Sequence, residues 1–286
     1  MNNEYIDFWN NDLVPYWHRF RHLLVNNGDI HSDLAWSDFN IQQGEKVLEV
    51  GSGYGETCLR MGSMVSDTGS VTGIDCTSAF TQVAEHERML SEANNVTYIT
   101  GDAQSYPFPD NSFDVAYSRF GVMFFENTVA ALKNLHRVLK PGGRLCLIVW
   151  GTINDNPCWN LSKDVALSYL PPPPDDAASC GPGPFSMGDE ETTRAKLRIA
   201  GFSNVEVYRK MEAPICMGRD DEEALAYQTQ IGPAGEIIYM AGTEGKEKLP
   251  EINSTLLDVI KDYKRQDGYY LPSTAWAIMA TKTDSL

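Results

Sequence analysis

The chain has 286 residues and a formal charge of −16, a size that suits one large domain or a domain with a subdomain. A compact chain this long buries roughly 75% of its unfolded surface, so its core needs neither disulfides nor a structural metal. The 42% hydrophobic and 22% charged fractions exclude a disordered chain. No apolar run approaches the ~18 residues of a membrane span, and the acid excess opposes long phosphate backbones, so no nucleic-acid partner is expected.

Six cysteines (58, 76, 146, 158, 180 and 216) are scattered without a Cys-x-x-Cys pair or a histidine at zinc spacing, so no metal site and no disulfide framework is expected. Cys58 and Cys146 sit among apolar residues and read as small core side chains. Met1-Asn2-Asn3-Glu4 lacks the basic-then-apolar pattern of a secretory signal, which makes the cytoplasm the expected compartment. Oligomeric state is not legible.

In chain order, residues 4–25 carry a helical apolar pattern rich in aromatics: Tyr5, Phe8, Trp9, Tyr16, Trp17 and Phe20. A strand follows at 47–50, then a glycine-rich turn and a helix. A second strand at 71–74 ends at Asp75, and Ser78 is placed to cap a helix over 78–93. A third strand at 96–100 leads into Gly101-Asp102, and a fourth at 113–117 follows the turn residues Pro109-Asp110-Asn111-Ser112. An amphipathic helix at 128–139 stops at Pro141-Gly142-Gly143, and a fifth strand spans 145–150. Strands alternating with helices predict a doubly wound, mainly parallel sheet. After Trp150 come a stiff tetraproline connector, Pro171 to Pro174, and the turn cluster Gly181-Pro182-Gly183-Pro184. A helix at 190–200, a strand at 205–208, a helical segment between Pro214 and Pro272 and a last strand at 276–281 complete the expectation.

The chemistry concentrates in Glu49-Val50-Gly51-Ser52-Gly53-Tyr54-Gly55. Alternate glycines after a strand let the backbone turn tightly and bring its N–H groups against a ligand. A dinucleotide fingerprint wants a third Gly or Ala at position 56, where Glu56 stands. Glu49 just ahead of the loop opposes a pyrophosphate and suits an ammonium group. Asp75, ending the second strand, is placed to accept ribose hydroxyls, the alternative being a helix cap. Asp102, ending the third, is placed for an adenine amino group, or serves as a turn residue. One ligand accounts for all three carboxylates: a cation with an amino-acid tail, a ribose and an adenine.

These residues resemble the class I S-adenosylmethionine-dependent methyltransferases. The matches run in order: the Glu49 to Gly55 loop, Asp75, Gly101-Asp102-Ala103, Phe113-Asp114-Val115-Ala116-Tyr117-Ser118 and Leu139-Lys140-Pro141-Gly142-Gly143-Arg144-Leu145. Ser118-Arg119-Phe120-Gly121-Val122-Met123-Phe124-Phe125 resembles the small-molecule branch near the ubiquinone/menaquinone-biosynthesis methyltransferases. The resemblance implies a Rossmann-like, seven-stranded sheet with one antiparallel strand, with the cofactor S-adenosyl-L-methionine over its first half. It also implies Gly51, Gly53, Asp75, Cys76, Asp102, Ala103 and Ser118 as cofactor-lining residues, with Glu49 and Ser52 replacing the commoner Asp and Cys. The division then expected is an N-terminal helical lid (1–40), a cofactor-binding core (41–211, with a loop insertion at 151–189), a helical insertion or substrate cap (212–272) and a final strand and tail (273–286).

The function expected is methyl transfer to a small aromatic or lipophilic acceptor, at O, N or C, inside an apolar pocket to which Trp17, Arg119, Phe124, Phe125, Trp159 and Phe185 contribute. Arg119 has a surface ion pair as its alternative. Tyr16 or Trp17 is placed to lie against the sulfonium. His18 and His22, one helical turn apart, lack a third ligand for a metal; with Tyr16 they are the only candidates for a catalytic base. His86 and His136 read as solvated. Two rival readings stand beside this one: a protein that binds the cofactor without methylating, and a nicotinamide oxidoreductase, which Glu49 and Glu56 oppose.

Overall fold

The structure is a computed structural model that describes residues 3–173 and 183–283. Three helical pieces open the chain: α1 (Asn3–Phe8), a π-helical turn (Trp9–Leu13) leading into α2 (Val14–Arg19), and α3 (Arg21–Phe39). The core then alternates β1 (Lys46–Val50), α4 (Glu56–Val65), β2 (Ser70–Asp75), α5 (Ser78–Leu90), β3 (Val96–Thr100), β4 (Phe113–Arg119), α6 (Thr128–Val138) and β5 (Leu139–Trp150). After it come α7 (Pro157–Leu167), α8 (Glu190–Ile199), β6 (Asn204–Gly218), α9 (Asp221–Gln230), α10 (Gly232–Met240), α11 (Gly242–Ile260), the two-residue β7 (Lys264–Arg265) and β8 (Gly268–Thr281).

The sheet order is β3-β2-β1-β4-β5-β8-β6, with β7 paired to β8. Strands β1 to β5 are parallel, and β8 runs antiparallel to both β5 and β6. This is the doubly wound sheet that the alternation predicts, with its single full-length antiparallel strand. The interior strands are buried on both faces, as continuous apolar runs such as Leu145 to Trp150 require. Because the order reverses between β1 and β4, the carboxyl ends of β1, β2, β3 and β4 open on a crevice.

Several boundaries differ from the sequence expectation, among them the start of β5, which takes in Leu139 to Arg144 and so runs through Pro141-Gly142-Gly143. The N-terminal apolar pattern fades after Val25, yet α3 continues to Phe39, with Leu23, Asn27, His31, Ala35 and Phe39 on one buried stripe. Asn27, His31 and Ser32 make that stripe look polar. They bury because partners await them: Asn27 Nδ2 donates to the Cys216 carbonyl at 2.8 Å, and Asn27 Oδ1 accepts the Cys216 N–H at 3.0 Å. The final hairpin is also longer: β6 runs on to Gly218 and β8 begins at Gly268, so the helical insertion lies between them. Its prolines, Pro214 and Pro272, stand opposite each other in the ladder. They are tolerated there because β5 covers β8 only from Ala275 onward, which leaves this stretch two strands wide. Finally, Thr77 rather than Ser78 is the N-cap of α5.

Cys58 and Cys146 are buried as expected. His86 is exposed, whereas His136 is half-buried against the Phe202 ring at 5.0 Å. Pro171 to Pro173 carry neither helix nor strand, while Pro174, Gly181 and Pro182 lie outside the described residues. No helix among the described residues is long and apolar enough to cross a membrane. None of their His, Cys, Asp and Glu side chains form a group able to hold a metal.

Candidate active site

The turn after β1 is shaped by what surrounds it. Gly51 and Ser52 both donate their N–H groups to the Ile74 carbonyl, at 2.9 and 3.2 Å, which pins the loop to the end of β2. A side chain on Gly51 would put its Cβ 2.9 Å from the Gly121 Cα, so the turn after β4 can lie directly over it. Gly53 has φ +52° and no atom within 4 Å of where a Cβ would stand. The space above its backbone is the cavity. Gly55 turns away from it, its carbonyl accepting the Tyr98 hydroxyl at 3.0 Å.

Asp75 ties the second strand end to this loop. Its Oδ2 accepts the Gly53 N–H at 2.9 Å and its Oδ1 the Thr77 N–H at 2.9 Å. Asp102 accepts the Gln104 N–H at 2.9 Å, and Ala103 beside it is buried. Burial raises the Asp75 carboxyl above its ordinary value, against the lowering effect of those two backbone donors. Burial likewise raises the Glu49 carboxyl, to about 8, with hydrogen bonding from Cys58 and the Arg119 charge pulling the other way.

All these groups border one cavity of about 700 Å³. It runs from Glu49, Ser52, Gly53, Asp75, Cys76, Asp102 and Ala103 at the strand ends to a chamber walled by Trp9, Tyr16, Trp17, Phe120, Phe124, Phe125, Trp150, Trp159 and Tyr227. The N-terminal helices roof it. Trp9, Val14 and Trp17 pack with Tyr54 and Phe80; Asn10 Nδ2 donates to the Cys76 carbonyl at 3.3 Å and its Oδ1 accepts the Ser78 N–H at 3.2 Å. Arg21 bonds Glu56 at 2.8 Å and lies over the Tyr54 ring. On the far side, Tyr239 of α10 donates to Asp12 at 2.9 Å and meets Phe8 edge to face.

Most of the expected site residues are therefore brought together, and a few are not. Ser118 is fully buried behind the wall, its hydroxyl donating to the Val50 carbonyl at 2.7 Å and accepting the Val122 N–H at 3.3 Å. It supports the loop from below. His18 is exposed and outside the cavity wall, and His22 pairs with Glu223 at 3.0 Å, also outside. Of the three candidate bases only Tyr16 borders the cavity. Phe185 packs on the core while its neighbour Pro184 reaches the wall. Arg119 borders the cavity, its Nη1 held by Asp29 at 2.6 Å and its charge coupled to Glu49. Sequence reasoning missed Gly28, which makes room for that guanidinium: a Cβ there would stand 2.8 Å from Arg119 Cζ. It also missed Trp150 and Tyr227, whose apolar signal is the same as that of any core residue.

A doubly wound sheet in this strand order, with a glycine turn after β1 and carboxylates ending β2 and β3 at one crevice, is the arrangement of the class I S-adenosylmethionine-dependent methyltransferases, and the chain carries a methyltransferase domain. A family model described as "Methyltransferase domain" matches residues 48–147. The chain is similar to ubiquinone/menaquinone biosynthesis C-methyltransferases UbiE: 27% identical over 218 residues to that of Enterobacter sp. (strain 638), and 26% over 219 residues to that of Cronobacter sakazakii. Either match covers 69% of this chain and 87% of the relative. Among solved structures, a putative methyltransferase from Bacillus halodurans superposes with a TM-score of 0.60 at 20% identity, over 88% of this chain and 100% of that one. The YcgJ protein from Bacillus subtilis does so with 0.58 at 18%, over 91% and 99%; both likenesses are of fold.

The residues present fit the cofactor of this class. Three buried polar atoms of the first strand end and its loop, Glu49 Oε2, Ser52 Oγ and Tyr54 Oη, have no hydrogen-bond partner among the described residues. Leaving such atoms unpaired is costly, and a ligand with an ammonium group and hydroxyls is what would pair them.

Proposed function

We propose that this protein transfers a methyl group to a small aromatic or lipophilic acceptor held in the aromatic chamber. S-adenosylmethionine, when bound, supplies a methyl group on a positively charged sulfur, an electrophile already activated by its charge. Glu49 and Arg119 offer opposite charges to the ammonium and carboxylate of its amino-acid tail, Asp75 takes the ribose hydroxyls, and Asp102 with Ala103 receives the adenine. Cys76 lines the same stretch, its thiol pushed up to about 12 mainly by burial and so held neutral. The rings of Trp9, Tyr16, Trp17 and Phe124 exclude water and present aromatic faces to the positive centre, where each contributes ~0.5–2 kcal/mol.

The observation that carries this reading is continuity: the carboxylate-lined strand ends and the aromatic chamber are one cavity, not two. A single continuous space lets the protein hold acceptor, carbon and sulfur in line, the kind of positioning that supplies ~7–11 kcal/mol in favourable cases. The likeness to quinone-biosynthesis C-methyltransferases supports a ring-bearing acceptor. Incubation with methyl-labelled cofactor and a panel of phenols, quinols and aromatic amines tests it. Label appearing in one of these supports the proposal, and label appearing only in polar aliphatic acceptors overturns it.

A further inference from the structure

The chamber wall carries three acidic groups that none of the roles above uses; Asp12 is paired with Tyr239 and Glu56 with Arg21, and the third stands alone. Glu236, on α10, borders the cavity, and among the described residues it has no hydrogen-bond or ion-pair partner. Burial raises its carboxyl, with no other cause. A carboxyl in an apolar wall with nothing to pair it carries a cost that a complementary ligand removes. One helical turn on, Tyr239 borders the same end of the cavity and presents Asp12 beside it through their 2.9 Å hydrogen bond, with Tyr16 adjoining. The basic side chains on the wall do not neutralise this end: Arg119 stands by Asp29 and Glu49, Lys246 is exposed, and neither charge acts on Glu236. A cation is also the species that a chain of charge −16 draws toward it, and aromatic faces favour it further.

We propose that Glu236 sets acceptor selectivity by pairing with a protonated amino group carried on the ring-bearing acceptor. This rests on the methyltransferase reading and narrows it: the acceptor is an aromatic amine-bearing molecule, with its cationic end against α10. The test uses calorimetry on the full chain saturated with S-adenosylhomocysteine and three probes of one skeleton: tryptamine, tryptophol and indole-3-acetate. Tryptamine binds about tenfold or more tighter than tryptophol, as a charged hydrogen bond implies, and indole-3-acetate binds weakest. Glu236→Gln removes the preference for the amine while leaving the affinity for S-adenosylhomocysteine and the melting temperature unchanged. Equal binding of the amine and the alcohol, no binding of any probe, or a preference that survives in Glu236→Gln overturns the proposal. Failure to take up S-adenosylhomocysteine at all instead overturns the cofactor reading beneath it.

Discussion

Asp75, the last residue of β2, holds the glycine loop that follows β1: its Oδ2 accepts the Gly53 N–H at 2.9 Å. The same carboxylate is thus asked to fix the loop and to take the ligand. Asp75→Ala removes both, so affinity for S-adenosylhomocysteine falls ten- to a hundredfold, the range for ~1.5–3 kcal/mol of charged hydrogen bonding. Asp75→Asn keeps one acceptor oxygen and loses less. Calorimetric titration of both variants checks the order, and equal affinity in all three proteins would sink the assignment.

Glu49 makes cofactor uptake depend on pH. Its folded carboxyl stands at about 8, above the ordinary 4.5. A raised acid favours the folded state fully below the ordinary value and loses that contribution as pH rises through about 8. Binding an ammonium group reverses the preference and ionises it. Below pH 8, therefore, S-adenosylhomocysteine binding expels a proton, and affinity grows as pH rises toward about 8. Titrations in buffers of different ionisation enthalpy count the protons; Glu49→Gln releases none from this site.

His31 acts in the opposite direction. It is buried against the stacked Phe120 and Trp150 rings, meeting both edge to face, with Nδ1 donating to the Asn27 carbonyl at 3.0 Å and Nε2 lying 3.1 Å from Ser273 Oγ. Burial lowers it from 6.5 to about 4. The unfolded chain takes up its proton first, so stability is present above pH 6.5 and falls toward pH 4, by up to ~3 kcal/mol. Urea unfolding at several pH values measures this slope, and His31→Gln should flatten it.

Gly28→Ala sets two effects against each other. Within α3 the change favours the helix by ~1 kcal/mol, but its Cβ would meet Arg119 Cζ at 2.8 Å. The guanidinium is the far end of a flexible side chain and yields before the helix does. The expected outcome is stability within ~1 kcal/mol of the parent, with weakened cofactor binding because Arg119 is displaced from Glu49. Loss of folding with cofactor affinity retained per folded molecule would contradict it.

Trp17→Ala opens the roof. Trp17 meets Trp9 edge to face at 5.1 Å and packs on Phe80, in a small cluster with Val14 and Tyr54 at the margin of the main core. Its loss should cost ~1–3 kcal/mol locally rather than globally. Limited proteolysis then cuts the first 20 residues faster while the core fragment persists, and S-adenosylhomocysteine protects less than in the parent.

The sequence by itself determined the strands at β1 to β5, the glycine turn and the carboxylates that end β2 and β3. Those signals are local: each strand is a short apolar run closed by turn chemistry, and each ligand group sits at a fixed offset from its strand end. What the tertiary structure decided is everything whose meaning depends on a distant partner. Asn27 and His31 read as a polar helix face until Cys216 and Ser273 are seen to receive them. Ser118 reads as a lining residue until its hydroxyl is found bound to Val50. His18 and His22, one helical turn apart in the sequence pattern, fall on separate helices, α2 and α3, and both lie outside the chamber, and Gly28 matters only because Arg119, far along the chain, crosses it. Periodicity reports how a segment folds on itself; which of its faces meets a ligand is fixed by packing across the sheet, where sequence separation carries no information.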